Sequence, residues 1–230
     1  MQDSLLKRYW LPALSLALFV AGLYLVFFYV PTVTQNGVPF AQRIFYFHVP
    51  VDWVAFLSYF IVFIASVGYL SKRDERRDRL AHSAAEIGVV FNTLTLITGS
   101  IWARPAWGVW WVWEPRLTTA LVLWFIYVAY LLIRSYATEE SQGARFAAVV
   151  GIVGFVDVPI VALATTLWRS QHPGAVVFES GGLAGSQVLT LMVCLAAFTT
   201  LFIVLLRLRV SLRGAEREIS LLTDDDEDQA

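Results

Sequence analysis

Six long apolar runs constrain the fold of this chain more than any other feature. They cover about residues 10–30, 51–70, 84–102, 117–133, 146–168 and 187–206. A helix rises about 1.5 Å per residue, so a run of about 20 residues crosses a hydrocarbon core of roughly 30 Å. Because the bilayer core offers backbone groups no water, such runs cross it as helices. The sequence therefore predicts an all-α integral membrane protein, with residues 1–230 forming a single domain of six transmembrane helices.

The composition agrees with residence in a lipid bilayer and excludes some classes of protein. Hydrophobic residues make up 58% of the chain and charged residues 15%, and the mean hydropathy is +0.64. These values exclude an ordinary soluble domain. Cys194 is the only cysteine, so the chain has no C-x-x-C-H motif and is not itself a c-type cytochrome. We expect a lipid bilayer around the spans and no nucleic-acid partner.

The distribution of basic residues predicts the orientation of the six spans. The N-terminus, the 71–82 and 134–145 loops and the chain after residue 206 together carry 13 of the 17 lysines and arginines. By the positive-inside rule these segments, and therefore both termini, are cytoplasmic in a bacterial inner membrane. The four remaining basic residues then lie on the outer face: Arg43, Arg104, Arg116 and Arg169. An acidic run at 224–228 leads us to predict a disordered cytoplasmic tail over 210–230.

A tryptophan-rich segment, W-G-V-W-W-V-W-E-P-R at 107–116, falls on the predicted outer face as a loop or an interfacial helix. In a helix, its tryptophans and the following carboxylate would form a single face, consisting of Trp107, Trp110, Trp111 and Glu114. Pro115 disfavours a helical Glu114 and instead predicts that Glu114 lies at the start of the fourth span. Tryptophans also anchor helices at membrane interfaces, but an anchoring belt spreads them over many helix ends.

Two of the three histidines, His48 and His172, lie on the same predicted face as the tryptophan-rich segment. Two imidazoles are suitable axial ligands for a haem iron, and indole rings offer an apolar surface to a porphyrin. Outer arginines suit the haem propionates through charge-assisted hydrogen bonds. The candidate haem site comprises His48 and His172 as iron ligands, Trp107, Trp110, Trp111 and Trp113 as stacking residues, Gly108 for close backbone approach, Glu114 as support, and Arg43, Arg104 or Arg116 at the propionates.

Three motifs resemble the haem exporter protein C (CcmC) family of cytochrome c maturation: R-I-F-Y-F-H-V-P at 43–50, T-G-S-I-W-A-R-P at 98–105 and the tryptophan-rich "WWD" segment continued as R-L-T. The resemblance covers about residues 40–190. It implies that His48 and His172 ligate the haem iron and that the tryptophan-rich segment presents the haem to the periplasmic chaperone CcmE. It also implies a small subunit, CcmD, and the CcmA/CcmB ATPase as partners.

Two positions depart from the family pattern. Glu114 stands where the family usually has aspartate, so its carboxylate reaches one methylene further. Asp157 lies in the middle of the fifth run, followed by Pro159. An intramembrane carboxylate is costly to bury without a partner, so Asp157 is either functional or is protonated or paired within the bundle.

We interpret the chain as a haem-binding membrane chaperone, not an enzyme, that carries haem b non-covalently and in transit. Two alternatives remain at this stage. One is a b-type haem subunit of a membrane redox enzyme, which usually needs histidines at two depths, whereas no histidine lies within the predicted spans. The other is an ion or solute transporter that uses Asp157.

Overall fold

The structure is a computed structural model that describes residues 2–32, 41–168, 170–172 and 182–227. These residues are almost entirely helical and contain no strand. The helices are α1 (Gln2–Tyr24), α2 (Phe45–Lys72), α3 (Glu75–Trp107), α4 (Pro115–Tyr136), α5 (Glu140–Phe155), α6 (Asp157–Leu167) and α7 (Gly185–Glu227). A π-helical turn, Leu25–Tyr29, extends α1, and a 3-10 turn, Ala41–Ile44, precedes α2.

Six segments are long and apolar enough to cross a membrane, which confirms the predicted all-α membrane fold. They are Tyr9–Tyr29, Ala41–Lys72, Glu75–Trp107, Pro115–Tyr136, Glu140–Leu167 and Gly185–Ser220. Phe19 packs on Phe198 and Gly22 lies against Cys194, so the first and last spans run antiparallel. The first and last described residues therefore lie at one end of the bundle, which we call the terminal end. The opposite end, which carries residues 41–50, 102–116 and 170–172, is called the tryptophan end.

The second span begins earlier than the sequence predicted. Helix α2 starts at Phe45, so Pro50 is its sixth residue and does not lie in its first turn. Pro50 has no N–H to donate to the carbonyl of Tyr46, four residues earlier, so α2 lacks one backbone hydrogen bond there and continues through it. His48 therefore lies inside the span, and the expectation that no histidine lies within the spans is wrong.

Helix α2 is central to the bundle because it packs against α3, α5 and α7. Its contact with α3 is close: a Cβ on Gly88 of α3 would lie only 2.6 Å from the ring of Tyr59. Tyr59 stacks on Tyr127 of α4 with ring centroids 3.7 Å apart and accepts a hydrogen bond from Asn92 at 3.2 Å. A small residue thus lets two membrane helices approach, and the buried hydroxyl of Tyr59 is hydrogen-bonded.

The fifth span is broken in its middle. Helix α5 ends at Phe155 and α6 begins at Asp157. Pro159 has no N–H to donate to the carbonyl of Phe155, four residues earlier, and this explains the interruption. Asp157 is half-buried, and its Oδ2 atom is buried without a hydrogen-bond partner among the described residues. The alternative in which Asp157 pairs within the bundle therefore has no support for this oxygen.

Helix α7 continues as one helix to Glu227, so it includes most of the 210–230 segment for which the composition predicted a disordered tail. Arginines spaced four residues apart lie on one face of α7 and bind carboxylates at the terminal end of the bundle. Arg209 and Arg213 both donate to Glu86, at distances of 2.6–2.9 Å, and Arg217 pairs with Glu75. These ion pairs hold the helix beyond the last apolar turn, which the acidic composition of the tail did not predict.

Candidate functional site

A small cavity lies at the tryptophan end, between α2, α3, α4, α6 and the segment that carries His172. Its volume is about 50 Å³, which is room for a few water molecules but not for a porphyrin. The functional side chains that line it are His48, Asp52, Trp102, Trp107, Trp111, Arg116 and His172. The structure therefore brings both predicted iron ligands and two of the four predicted stacking tryptophans to one place.

The imidazole rings of His48 and His172 both line the cavity. Their ring centroids are 6.4 Å apart and their planes are inclined by 40°. Two metal–nitrogen bonds of about 2 Å, plus the distance from each nitrogen to its ring centre, place the centroids of two axial imidazoles roughly 6 Å apart. The observed separation therefore fits a pair of axial ligands to one iron. Among the described residues, no group of three or more histidine, cysteine or acidic side chains suits a metal ion.

His48 is held against helix α3. A Cβ on Gly99 would lie 3.2 Å from the Cε1 atom of His48, so the imidazole rests on a position of α3 that has no side chain. The Nδ1 atom of His48 lies 2.8 Å from the hydroxyl oxygen of Thr98. Both contacts come from the helix that packs most closely on α2, so the ring has a fixed place in the bundle.

Glu114 connects the tryptophan-rich segment to the segment that carries His172. Its Oε2 atom accepts hydrogen bonds from the hydroxyl of Ser170, from the backbone N–H of Gln171 at 2.8 Å and from that of His172 at 3.3 Å. Glu114 is only 8% exposed and lies at the N-cap of α4, where the sequence predicted it. Its carboxylate therefore positions the backbone of His172.

The tryptophan-rich segment is a loop, which is one of the two predicted alternatives, so its tryptophans do not form the single face that a helix would give. Helix α3 ends at Trp107, and α4 begins at Pro115. Trp107 and Trp111 line the cavity, whereas Trp110 and Trp113 are 58% and 76% exposed. The indole N–H of Trp111 is buried and has no hydrogen-bond partner among the described residues, so it is a donor that a bound ligand can satisfy.

Gly108 ends helix α3 in a conformation that favours glycine. A Cβ at this position would contact no atom within 4 Å among the described residues, so packing within the chain does not require a glycine here. It is needed because φ is +80°, in the left-handed region that favours glycine. Its N–H bonds to the carbonyl of Arg104 at 3.0 Å and closes helix α3. Gly108 thus ends the helix where the loop begins.

Only one of the three candidate propionate arginines lines the cavity. Arg116 does so, and it forms an ion pair with Asp52 at 3.2 Å. Arg104 is exposed and donates to the carbonyl of Gly108. Arg43 donates to the carbonyl of Phe27 at 3.2 Å and lies over its ring, so it connects the end of the first span to the start of the second. The fourth outer arginine, Arg169, lies outside the described residues.

The sequence interpretation missed two cavity residues, Asp52 and Trp102. Asp52 follows His48 by four residues, so both share a face of α2, but this spacing is visible only once α2 is known to begin at Phe45. Trp102 contacts Trp107 edge to face, with centroids 5.4 Å apart, and lies 6.4 Å from the ring of His172. It belongs to the T-G-S-I-W-A-R-P motif, which was the available signal.

Comparison with known proteins identifies the family. The model of the family described as "Heme exporter protein C" matches residues 3–223. The chain belongs to the haem exporter protein C family. Proteins of that name from Bradyrhizobium diazoefficiens and Haemophilus influenzae are 36% and 33% identical to it over 198 and 203 residues. These matches cover 85% and 86% of this chain and 74% and 82% of the two relatives.

The haem exporter protein C family also has a mitochondrial relative among the similar proteins. A putative cytochrome c biosynthesis ccmC-like mitochondrial protein from Marchantia polymorpha is 31% identical over 160 residues, which is 70% of this chain and 67% of that protein. The family resemblance drawn from the three motifs is therefore confirmed, and it extends well beyond residues 40–190.

Proposed function

We propose that this protein is a haem-binding membrane chaperone and not an enzyme. It carries haem b non-covalently and in transit, at the outer face of the cytoplasmic membrane, and delivers it to the periplasmic chaperone CcmE for cytochrome c maturation. The observation that carries the proposal is the pair of imidazoles, His48 and His172, whose centroids are 6.4 Å apart in a tryptophan-lined cavity. The names of the relatives, which refer to haem export and cytochrome c biosynthesis, support the choice of cargo.

Haem binding requires this cavity to widen, because about 50 Å³ does not admit a macrocycle. His48 lies on a continuous membrane helix and is held by α3. His172 lies in a non-helical segment whose backbone is held by one carboxylate, Glu114. We therefore expect His48 to stay in place and the segment of His172 to move when haem enters and leaves.

The remaining side chains have distinct roles in the proposed site. Trp107 and Trp111 line the cavity and suit contact with the porphyrin face. Arg116 is the arginine we assign to a propionate, because it lines the cavity and its guanidinium has one hydrogen bond among the described residues, to Asp52. Trp110 and Trp113 are exposed at the same end and provide an apolar surface for CcmE.

The proposed orientation rests on charge. The terminal end carries most of the lysines and arginines, which by the positive-inside rule makes it cytoplasmic and makes the tryptophan end periplasmic. Both termini then lie in the cytoplasm, where the CcmA/CcmB ATPase is accessible. CcmD is the proposed small subunit within the membrane.

A haem titration of the purified protein tests the cargo and its ligands. We expect His48→Ala and His172→Ala to weaken haem retention and to shift the Soret band, because each removes one axial ligand. The matched control is His82→Ala, since His82 lies at the terminal end and its Nε2 accepts from Arg213 at 2.9 Å. Full haem retention with an unchanged Soret band in both ligand variants would show the assignment to be wrong.

Delivery to CcmE separates a chaperone from a redox subunit. We expect a complex with CcmE to be trapped by cross-linking only when haem is present. Trp110→Ala and Trp113→Ala should reduce trapping while haem binding is unchanged, because both indoles are exposed outside the cavity. Trp10→Ala is the control, since Trp10 is 53% exposed in the first span but belongs to the terminal end. Trapping that does not depend on haem would contradict delivery.

The redox alternative has less support from the position of the third histidine. An electron path across the membrane usually needs haem ligands at two depths, and the chain has three histidines in total. His82 lies at the terminal end without a second histidine to pair with, and Arg213 donates to its ring. One pair of ligands at one end suits a carrier of a single haem.

A further inference from the structure

The hydroxyl of Thr98 makes a hydrogen bond to the imidazole of His48 across the interface between α3 and α2. The Oγ1 atom of Thr98 lies 2.8 Å from Nδ1 of His48. The same oxygen lies 2.7 Å from the carbonyl oxygen of Leu94 and 3.3 Å from that of Thr95, both in the preceding turn of α3. Thr98 is therefore held by its own helix while it contacts a side chain of the neighbouring helix.

The direction of this hydrogen bond follows from counting hydrogens. A threonine hydroxyl has one hydrogen to donate, and a carbonyl oxygen can only accept. The hydrogen of Thr98 is directed to the carbonyls of Leu94 and Thr95, so its oxygen can only accept from His48. Nδ1 of His48 must then carry a hydrogen. In the neutral ring, that leaves the lone pair on the other nitrogen, Nε2.

We propose that Thr98 is the positioning residue that fixes His48 in the tautomer able to ligate iron through Nε2. This inference rests on the proposed function, since it concerns how one of the two haem ligands is prepared. Metal-ligating histidines usually donate their second ring N–H to an acceptor, which sets the tautomer, fixes the ring and raises the basicity of the ligating nitrogen. Here that acceptor is a hydroxyl whose own hydrogen is taken up by the backbone.

Gly99, the next residue of α3, supports the same orientation of the ring. A Cβ at Gly99 would lie 3.2 Å from Cε1 of His48, compared with 3.9 Å from Nδ1 and 4.0 Å from Nε2. The Cε1 atom of the imidazole thus lies over this position, with the two ring nitrogens further from it. The consecutive pair of a threonine and a glycine provides both the acceptor and the space that the ring needs.

The test compares Thr98→Val, which removes the acceptor at nearly constant shape, with Thr98→Ser, which keeps the hydroxyl. We expect Thr98→Val to weaken haem binding about 10–100-fold, the usual effect of losing such an outer partner. We also expect the midpoint potential of the bound haem to become more positive, because a less basic imidazole stabilises ferric iron less. Thr98→Ser, which keeps the hydroxyl, should leave both the haem affinity and the midpoint potential at their wild-type values.

Thr93→Val is a matched control on the same helix. The hydroxyl of Thr93 also bonds to a backbone carbonyl, that of Val89 at 2.8 Å, and it accepts from the indole N–H of Trp124 at 2.8 Å. The variant removes the same kind of acceptor without touching a histidine. We expect it to leave the affinity and the potential of the bound haem unchanged. An equal loss in Thr93→Val, or no loss in Thr98→Val, would overturn the inference.

A measurement on the unaltered protein avoids any question of folding. In protein labelled with ¹⁵N-histidine and reconstituted in lipid without haem, solid-state NMR should show His48 with its hydrogen on Nδ1. The signal is assigned by its loss in His48→Ala. A hydrogen on Nε2 instead would overturn the inference even if haem binds. Conversely, full haem retention in His48→Ala would refute the proposed function while leaving the tautomer result in place.

Discussion

Removal of the Glu114 carboxylate should weaken haem binding through His172. One oxygen of Glu114 accepts from the hydroxyl of Ser170 and from the backbone N–H groups of Gln171 and His172. The bond from His172 is the longest of the three, at 3.3 Å, and the same N–H also has Ser170 Oγ as an acceptor at 3.1 Å. We therefore count only the bonds from Ser170 and Gln171 as lost in Glu114→Ala.

The size of the effect follows from these two bonds. A hydrogen bond to a charged group contributes about 1.5–3 kcal/mol, so the low end of the range for two bonds is about 3 kcal/mol. If haem binds only when the segment of His172 is in place, the apparent affinity falls with the fraction of protein that is ordered. At about 1.4 kcal/mol per factor of ten, Glu114→Ala should weaken haem binding roughly one-hundred-fold.

Glu114→Gln provides a graded comparison at nearly the same shape. Its amide oxygen still accepts from the same donors, but charge-assisted bonds are roughly twice as strong as neutral ones. About half of the stabilisation, or about 1.5 kcal/mol, should therefore be lost, which corresponds to a roughly tenfold weaker affinity. The assay is a haem titration followed by the Soret band, with electron paramagnetic resonance reporting whether both axial ligands are bound.

A double-mutant cycle with His172→Ala distinguishes positioning from a general structural effect. If Glu114 acts only by holding His172, Glu114→Ala should cause no further loss of affinity once His172 has been replaced. A full additional loss in that background would refute the reasoning, because the carboxylate would then act elsewhere. An unchanged haem affinity in Glu114→Ala alone would refute it as well.

Three further predictions concern the fold and are measured as changes in the free energy of unfolding of the purified protein. Gly108→Ala should destabilise the protein by about 1–2 kcal/mol, because φ at this position is +80°. Gly214→Ala is the control: this glycine lies in a helix with open space around it, so the change should stabilise the protein by up to about 1 kcal/mol. Equal effects of the two changes would contradict the role assigned to Gly108. Arg134→Met should destabilise the protein by about 3–5 kcal/mol, because it leaves the carboxylate of Asp78, which is 12% exposed, without its bidentate partner. A loss of stability below about 1 kcal/mol would argue against the buried ion pair. Gly88→Ala should destabilise the protein by about 1–3 kcal/mol, because the new Cβ would lie 2.6 Å from the ring of Tyr59 in α2. A variant that unfolds at the same temperature as the wild type would contradict this close approach.

Helix ends differ from the sequence interpretation where ion pairs or a preceding turn extend a helix beyond its apolar run. Past residue 210, Arg213 binds Glu86, 127 residues earlier in the chain, and Arg217 binds Glu75, 142 residues earlier. The tryptophan-rich segment is a loop because Gly108 adopts a positive φ, and a glycine within an aromatic run does not by itself specify that conformation.

The sequence by itself determined the number of spans, the family and the pair of candidate iron ligands. These follow from local properties: the length of each apolar run and motifs within a few consecutive residues. The distribution of basic residues also gave a predicted orientation, which remains a proposal.

Only the tertiary structure decided which of the candidate residues meet. It placed the ring centroids of His48 and His172 6.4 Å apart. It also placed Arg116 beside Asp52 and left Trp110 and Trp113 exposed. It also gave Glu114 and Thr98 their partners, one on the His172 segment and one on a neighbouring helix. Such contacts depend on the packing and rotation of whole helices against each other, and those are set by side chains far apart in the chain.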